Sequence, residues 1–218
     1  VLGAVLSRED PRDILVSRDG SKLEDLSPGT KIGTSSPRRA AQLKKYAPQV
    51  EVVSIRGNVE TRLRKAQGDE AEGAVLAAAG MIRLGLQEQI TEYLPITQFV
   101  PPPGQGILAV EARADDHRML RLLSAIDDLD TRLEATAERT FLAELGGGCS
   151  VPVGAYAQCT GMDILMTIFM STEDGAKSVT TQVKGPKEDA LGIANAAYQA
   201  LKREGGADLV AAAKANQS

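Results

Sequence analysis

Between residues 12 and 100, short apolar runs alternate with helical patterns, and this alternation constrains the fold more than any other feature. Ile14-Leu15-Val16 reads as a strand, and Ser27-Pro28-Gly29 as a turn. Lys31-Ile32-Gly33-Thr34 reads as a strand ending at a helix start, with Ser36 as N-cap and Pro37 in the first turn. That helix continues through Ala40, Ala41, Leu43 and Tyr46 and stops at Pro48. Glu51–Ile55 is the next strand, and Val59–Gln67 a helix with Val59, Leu63 and Ala66 on one face. Gly73–Ala77 is a further strand, followed by a helix through Met81, Ile82 and Leu84. Strand and helix in this order predict an α/β domain with a mainly parallel sheet.

The pattern changes after a Pro-rich break, Pro101-Pro102-Pro103-Gly104-Gln105-Gly106, which reads as a linker, a hinge or a ligand-lining loop. Ile107–Val110 is strand-like, and a helix is expected around Arg118–Ala125. Thr131 and Glu134 have the spacing of a capping box, Leu133, Ala137 and Phe141 share one helix face, and Gly146 suits a helix stop. Three strands follow, Val151–Gln158, Ile164–Ser171 and Ser178–Lys184, joined by turns at Thr160-Gly161 and Asp174-Gly175 as an antiparallel meander. A last helix carries Leu191, Ala194, Tyr198 and Leu201 on one face. This second unit is α+β, with a three-stranded antiparallel sheet.

Charge points to an anionic ligand. The 218 residues carry a net charge of −4, yet Lys31 to Lys65 holds nine cations against Glu51 and Glu60, a local excess of +7. Nucleic acid fits this less well, because only 3% of residues are aromatic and no stacking platform is evident. No apolar run approaches the roughly 20 residues that span a bilayer. Two cysteines and one histidine give no metal-site spacing, so no metal is expected.

The strongest local signal is Gly33-Thr34-Ser35-Ser36-Pro37-Arg38-Arg39. Arg38 and Arg39 in a first helical turn oppose the positive end of the macrodipole, which makes a compensating anion attractive. With the hydroxyls of Thr34, Ser35 and Ser36 they could form a carboxylate or phosphate site; a solvated basic helix start is the plainer reading. Arg56-Gly57-Asn58, Arg62 and Arg83 follow successive strand ends, where ligands of open α/β sheets bind. Cys149, after Gly146-Gly147-Gly148, sits past a helix C-terminus, which favours the neutral thiol. A covalent tether, a plain loop thiol and a disulfide with Cys159 all remain open for it. Cys159 itself reads as a packing residue, and His117 as a surface one.

These pieces resemble a family. Arg8–Asp13, the run at 33–39, Arg56-Gly57-Asn58, Thr61-Arg62-Leu63, Gly104-Gln105-Gly106 and Gly147-Gly148-Cys149 occur in the order and spacing of the porphobilinogen deaminase (hydroxymethylbilane synthase) family. The resemblance implies a transferase of tetrapyrrole biosynthesis, for haem and chlorophyll. That family condenses four porphobilinogen molecules into hydroxymethylbilane with release of ammonia, on a cysteine-linked dipyrromethane primer. It implies the primer on Cys149, cofactor binding by Thr34, Ser36, Arg38, Arg39, Arg56 and Gly57, and substrate binding by Arg56, Arg62, Arg83 and Gln105. Guanidinium forks suit the acetate and propionate groups of each pyrrole.

Against the family pattern, Pro37 stands where Leu is common and Pro102-Pro103 where Ala-Val is usual. The catalytic aspartate of the family lies in an N-terminal segment with no counterpart here, so no catalytic residue is assigned in this chain. The resemblance then implies a remnant of domain 1 at 1–10 and 104–127, domain 2 at 11–103 and domain 3 at 128–218. Such a chain is expected to be inactive alone, and to self-associate through unpaired strands at Leu2–Leu6 and Ile107–Val110, although the parent enzyme would be a monomer. A cytoplasmic location is expected, with the plastid as alternative, and neither nucleic acid nor membrane as partner. The competing reading is a non-enzymatic carboxylate-binding protein on the same binding-protein-like α/β fold.

Overall fold

A computed structural model describes residues 1–146 and 152–215. Three sheets organise them. In the first, β1 (Leu2–Val5) pairs antiparallel with a strand far along the chain, β7 (Ala109–Glu111). The second has five strands: β2 (Asp13–Ser17), β3 (Lys31–Gly33), β4 (Glu51–Val53), β5 (Gly73–Ala77) and β6 (Glu92–Tyr93), in the order β4-β3-β5-β2-β6. The third is the expected meander of β8 (Val153–Thr160), β9 (Asp163–Ser171) and β10 (Ser178–Pro186).

The five-stranded sheet is mixed, which corrects the expectation of a mainly parallel one. β3 runs parallel to β4 and β5, whereas β2 runs antiparallel to β5 and β6. The helices explain the difference. α1 (Pro37–Tyr46) and α2 (Val59–Ala66) cross over between β3, β4 and β5, as parallel pairing requires. Between β2 and β3 there is only a short 3-10 turn at Leu23–Asp25 and no crossover helix. α3 (Ala78–Arg83) follows β5 directly.

Both faces of this sheet are covered. Ile14, Val16, Ala74 and Leu76 pack with Leu63 and Met81 on one face, and Leu15, Val75 and Ile32 pack with Leu43 and Phe99 on the other. That is the period-2 alternation of a strand buried on two sides. The meander packs one face on α5 (Leu129–Glu144) and α6 (Ala190–Leu201), through Phe141, Ile168, Ala194 and Leu201. Its other face sets Tyr156 and Phe169 against Ala41 and Val100. α7 (Ala207–Ala215) follows a kink at Gly205.

Two helix details differ from expectation. α5 starts earlier than the capping-box pattern implies: Asp128 is the N-cap and accepts from the Thr131 amide at 2.8 Å. The Thr131 hydroxyl instead accepts from the Arg8 amide at 3.3 Å, and Glu134 makes the contacts described below. On α6, Leu191 points outward at 60% exposure, and Ile193 and Ala197 join Ala194 and Tyr198 in the core instead.

β1 and β7 form only a two-stranded pair, backed by α4 (His117–Leu123), whose Leu123 sits over Gly3. Leu108, Leu122, Ile126 and Leu129 around them are between 49% and 64% exposed. Exposed apolar surface beside unpaired strand edges favours association. The chain is expected to sediment as concentration-dependent oligomers; a single monomeric species across the concentration range would contradict this.

Candidate anion-binding site

The helix start after β3 forms as its sequence predicts. The Ser36 hydroxyl accepts from the Arg39 amide at 3.4 Å, and Pro37 occupies the first turn. The neighbouring hydroxyls are used internally. Thr34 is buried and its Oγ1 accepts from the Ser36 amide, while Ser35 donates to the Ile55 carbonyl at 2.6 Å, tying the ends of β3 and β4 together.

Arg38 and Arg39 are not a solvated basic start, since only 4% and 7% of their surfaces are exposed. Their compensating anion is a side chain of the protein, Asp13 at the head of β2. Asp13 Oδ2 accepts from Arg38 Nη1 at 2.7 Å; Oδ1 accepts from Arg39 Nη2 at 2.8 Å and Nε at 3.1 Å, and from Gln105 Nε2 at 2.9 Å. Complete burial works to raise the Asp13 pKa, but the charges and hydrogen bonds of Arg38 and Arg39 prevail and hold it down to about 2. Asp13 is therefore a fixed counter-ion and not a proton carrier. Burial, and then the charge of Arg39, push the Arg38 pKa below its ordinary value against the pull of Asp13.

Arg38 turns toward the protein interior. Its Nη1 also donates to Gln42 Oε1 and to the Val100 carbonyl, so its hydrogen bonds all point inward. Arg39 differs. Nε and Nη2 are spent on Asp13, Nη2 also reaches Gln105 Oε1 at 3.4 Å, and Nη1 donates to the Val75 carbonyl at 3.3 Å. Of its five N–H groups, one on Nη1 has no partner among the described residues. Two buried arginines on one carboxylate leave a net charge of +1.

That excess faces a cavity of about 230 Å³ lined by Arg39, Gly57, Asn58, Val59, Arg62 and Ala77, with Leu76 and Gly80 behind them. It lies beyond the carboxyl ends of the parallel strands β3, β4 and β5. Val59 opens α2, so the positive end of that helix points there as well; Asn58 caps it, accepting from the Thr61 amide at 2.9 Å. Gly57 has φ +127, and a Cβ there would meet Thr61 at 2.6 Å, so the approach to the cavity admits only glycine. Arg62 Nε donates to the Gly57 carbonyl at 2.8 Å, which leaves both of its Nη groups without a partner among the described residues. The cavity thus offers the outer edge of one guanidinium, one N–H of another and a helix terminus.

The remaining expected residues do not all converge. Arg56 is exposed, makes no hydrogen bond or ion pair among the described residues, and is not among those lining the cavity. Arg83 donates through Nη2 to the Gly106 carbonyl at 2.8 Å, on the Pro-rich connector. The side chain of Gln105 is occupied by Pro11, Asp13 and Arg39. Cys149, with Gly147 and Gly148, lies outside the described residues. Cys159 lies on β8 and packs against the core of that domain, and burial followed by the charges of Glu134 and Asp130 pushes its thiol up to about 11. No group of three metal-binding side chains occurs among the described residues, and no helix there is long and apolar enough to cross a membrane.

Sequence reasoning missed a second buried ion cluster. Glu138 is fully buried and binds Arg8 in a fork at 2.7 and 3.0 Å; it also accepts from the Ala157 amide at 2.8 Å and the Gly104 amide at 2.6 Å. Glu134 lies 3.4 Å from Arg8 and accepts from the Cys159 amide. Burial raises the pKa of both carboxyls above the usual range, with Arg8 opposing. A signal for both clusters was present. Asp13 heads a strand buried on both faces, and Glu138 lies between Ala137 and Phe141 in a helix whose face is apolar. An acid in either position needs a cation.

Fold and site together define a connector-linked α/β and α+β protein with a small cationic cavity suited to carboxylates. Comparison with known proteins makes this specific. A family model described as porphobilinogen deaminase, dipyromethane cofactor binding domain, matches residues 1–121, and one described as porphobilinogen deaminase, C-terminal domain, matches residues 132–202. The porphobilinogen deaminase of Brevibacillus brevis is 42% identical over 212 residues, covering 97% of this chain and 68% of that protein. That of Alkaliphilus metalliredigens is 48% identical over 195 residues, covering 88% and 62%. The probable porphobilinogen deaminase of Nitrosopumilus maritimus is 41% identical over 209 residues, covering 96% and 67%. The chain belongs to the porphobilinogen deaminase family, and it spans about two thirds of the length of these relatives.

Proposed function

We propose that the chain serves tetrapyrrole biosynthesis as a transferase acting on porphobilinogen, with a dipyrromethane group carried by Cys149. The observation that carries this reading is the uncompensated positive charge of the cavity between Arg39 and Arg62, inside a domain that matches the dipyromethane cofactor binding model. The donor set fits the group. Arg62 presents two Nη groups without partners among the described residues, Arg39 adds one N–H, and Leu76 and Ala77 supply apolar surface beside them. Acetate and propionate carboxylates would be held by Arg62, Arg39 and the start of α2, with a pyrrole ring against the apolar side. When bound, the dipyrromethane supplies the pyrrole carbon to which further pyrroles are added.

The protein's residues serve binding and orientation. The Gly57 carbonyl aims Arg62, and Asp13 fixes Arg39. Arg56, exposed at the end of β4, and Arg83 at the end of α3 are proposed to meet carboxylates further from the cavity. Thr34 and Ser36 contribute by shaping the start of α1. The three sheets support division into 1–10 with 104–127, 11–103 and 128–218, and the antiparallel β2 within the second sheet supports a binding-protein-like domain. A cytoplasmic location belongs to the same reading.

Mass spectrometry of the intact purified chain tests it. An adduct of dipyrromethane size on Cys149, absent from Cys149→Ser, is expected. An unmodified thiol in a chain that binds carboxylates reversibly would instead identify a plain anion-binding protein.

A further inference from the structure

Gln105 stands between the two buried ion clusters. Its side-chain Nε2 donates to Asp13 Oδ1 at 2.9 Å and to the Pro11 carbonyl at 2.6 Å, and its Oε1 accepts from Arg39 Nη2 at 3.4 Å. Its backbone carbonyl accepts from Arg8 Nε at 3.0 Å. Arg8 in turn holds Glu138, which binds the Gly104 and Ala157 amides. With its carboxylates ionised, the Arg8–Glu134–Glu138 cluster carries −1, and the Asp13–Arg38–Arg39 cluster carries +1. One residue therefore contacts a cationic excess at the cavity and an anionic excess at the base of the third sheet.

We propose that Gln105 is a positioning residue that sets which N–H of Arg39 faces the cavity and carries the cavity's occupancy to α5 and β8. This rests on the reading of the cavity as a ligand seat. The contact from Arg39 Nη2 to Gln105 is the loosest of the set, at the edge of hydrogen-bond range, so an anion that draws the guanidinium toward the cavity through Nη1 lengthens it most readily. A charge on the cavity side also removes the +1 that attracts the opposite cluster. The direction of the response follows from the backbone. Gly106 has φ +84 and is buried, a Cβ there would collide with the Glu9 carbonyl, and its own carbonyl is held by Arg83. That side of Gln105 is fixed. Gly104, at φ +76 with open space around it, is the side that can shift, and its amide is the one bonded to Glu138.

Amide hydrogen exchange of the full chain, read by NMR with porphobilinogen and separately with inorganic phosphate, tests the proposal. Saturating probe should change exchange at Gly104 and Ala157 by about fivefold or more, the low end of coupling between sites. In Gln105→Met the response at Gly104 and Ala157 should disappear while the probe still binds, its affinity changed by no more than the coupling that is lost, about fivefold. A response that survives in Gln105→Met overturns the proposal. So does abolished binding, which would make Gln105 a direct ligand. Should that variant fail to fold, the Gln105 side-chain amide signals of the wild type must shift with the same midpoint as Gly104, and unmoved signals overturn the proposal. Phosphate binding without porphobilinogen binding removes the proposed substrate, and the phosphate response then decides the role of Gln105. If neither probe binds, both readings fall.

Discussion

Asp13→Asn is expected to destabilise the chain by about 3–5 kcal/mol, the range for breaking a buried ion pair from one side. The variant keeps the shape of the side chain but leaves Arg38 and Arg39 buried without a counter-ion. Urea unfolding at neutral pH measures it, and a loss under 1 kcal/mol would show that the arginines find other partners. The same residue predicts a pH dependence. Its folded pKa of about 2 lies below its ordinary 3.8, so its contribution is present above about pH 4 and is lost as pH falls toward 2. The difference amounts to about 2 kcal/mol by linkage. Glu134 and Glu138 act with the opposite sign, because burial raises their folded pKa values against the pull of Arg8. Comparing wild type with Asp13→Asn across pH 2–5 isolates the Asp13 contribution from theirs.

Arg62→Gln is expected to weaken porphobilinogen binding by roughly 10- to 100-fold, the loss of one charge-assisted hydrogen-bond pair. Its Nη groups are uncommitted and it packs little, so stability should change by less than about 0.5 kcal/mol. Arg38→Gln should show the reverse pattern, a large loss of stability with any surviving folded protein binding normally, because its contacts face Asp13, Gln42 and Val100. Calorimetric titration at two salt concentrations, paired with thermal unfolding, separates the two. Equal binding losses for Arg38→Gln and Arg62→Gln would mean that both face the ligand and that the cavity has been drawn too narrowly.

Most of the architecture was legible beforehand because it rests on short-range rules. Ser36 and Pro37 start α1, the shared face of Val59, Leu63 and Ala66 marks α2, and the meander follows from alternation and Gly turns. Where reading failed, longer-range geometry had intervened. Apolar periodicity carries no strand direction, so the antiparallel placing of β2 shows only in the missing crossover between β2 and β3. Adjacency in the sequence does not distinguish Arg38 from Arg39. One turns inward and the other retains an N–H toward the cavity, because successive helical residues point about 100° apart and only one of those directions meets the cavity.

The sequence by itself determined the family, the cationic character of the segment from Lys31 to Lys65 and the caps and turns, since these depend on residue order and on neighbours within a turn or two. Only the tertiary structure decided which charges are spent. Asp13 meets Arg38 and Arg39 from 25 and 26 residues away, and Arg8 meets Glu138 from 130 residues away. Ion pairs at such separations are set by how sheets and helices stack, and their pairing leaves Arg39, beside Arg62, with an N–H that has no partner among the described residues and that a carboxylate would find.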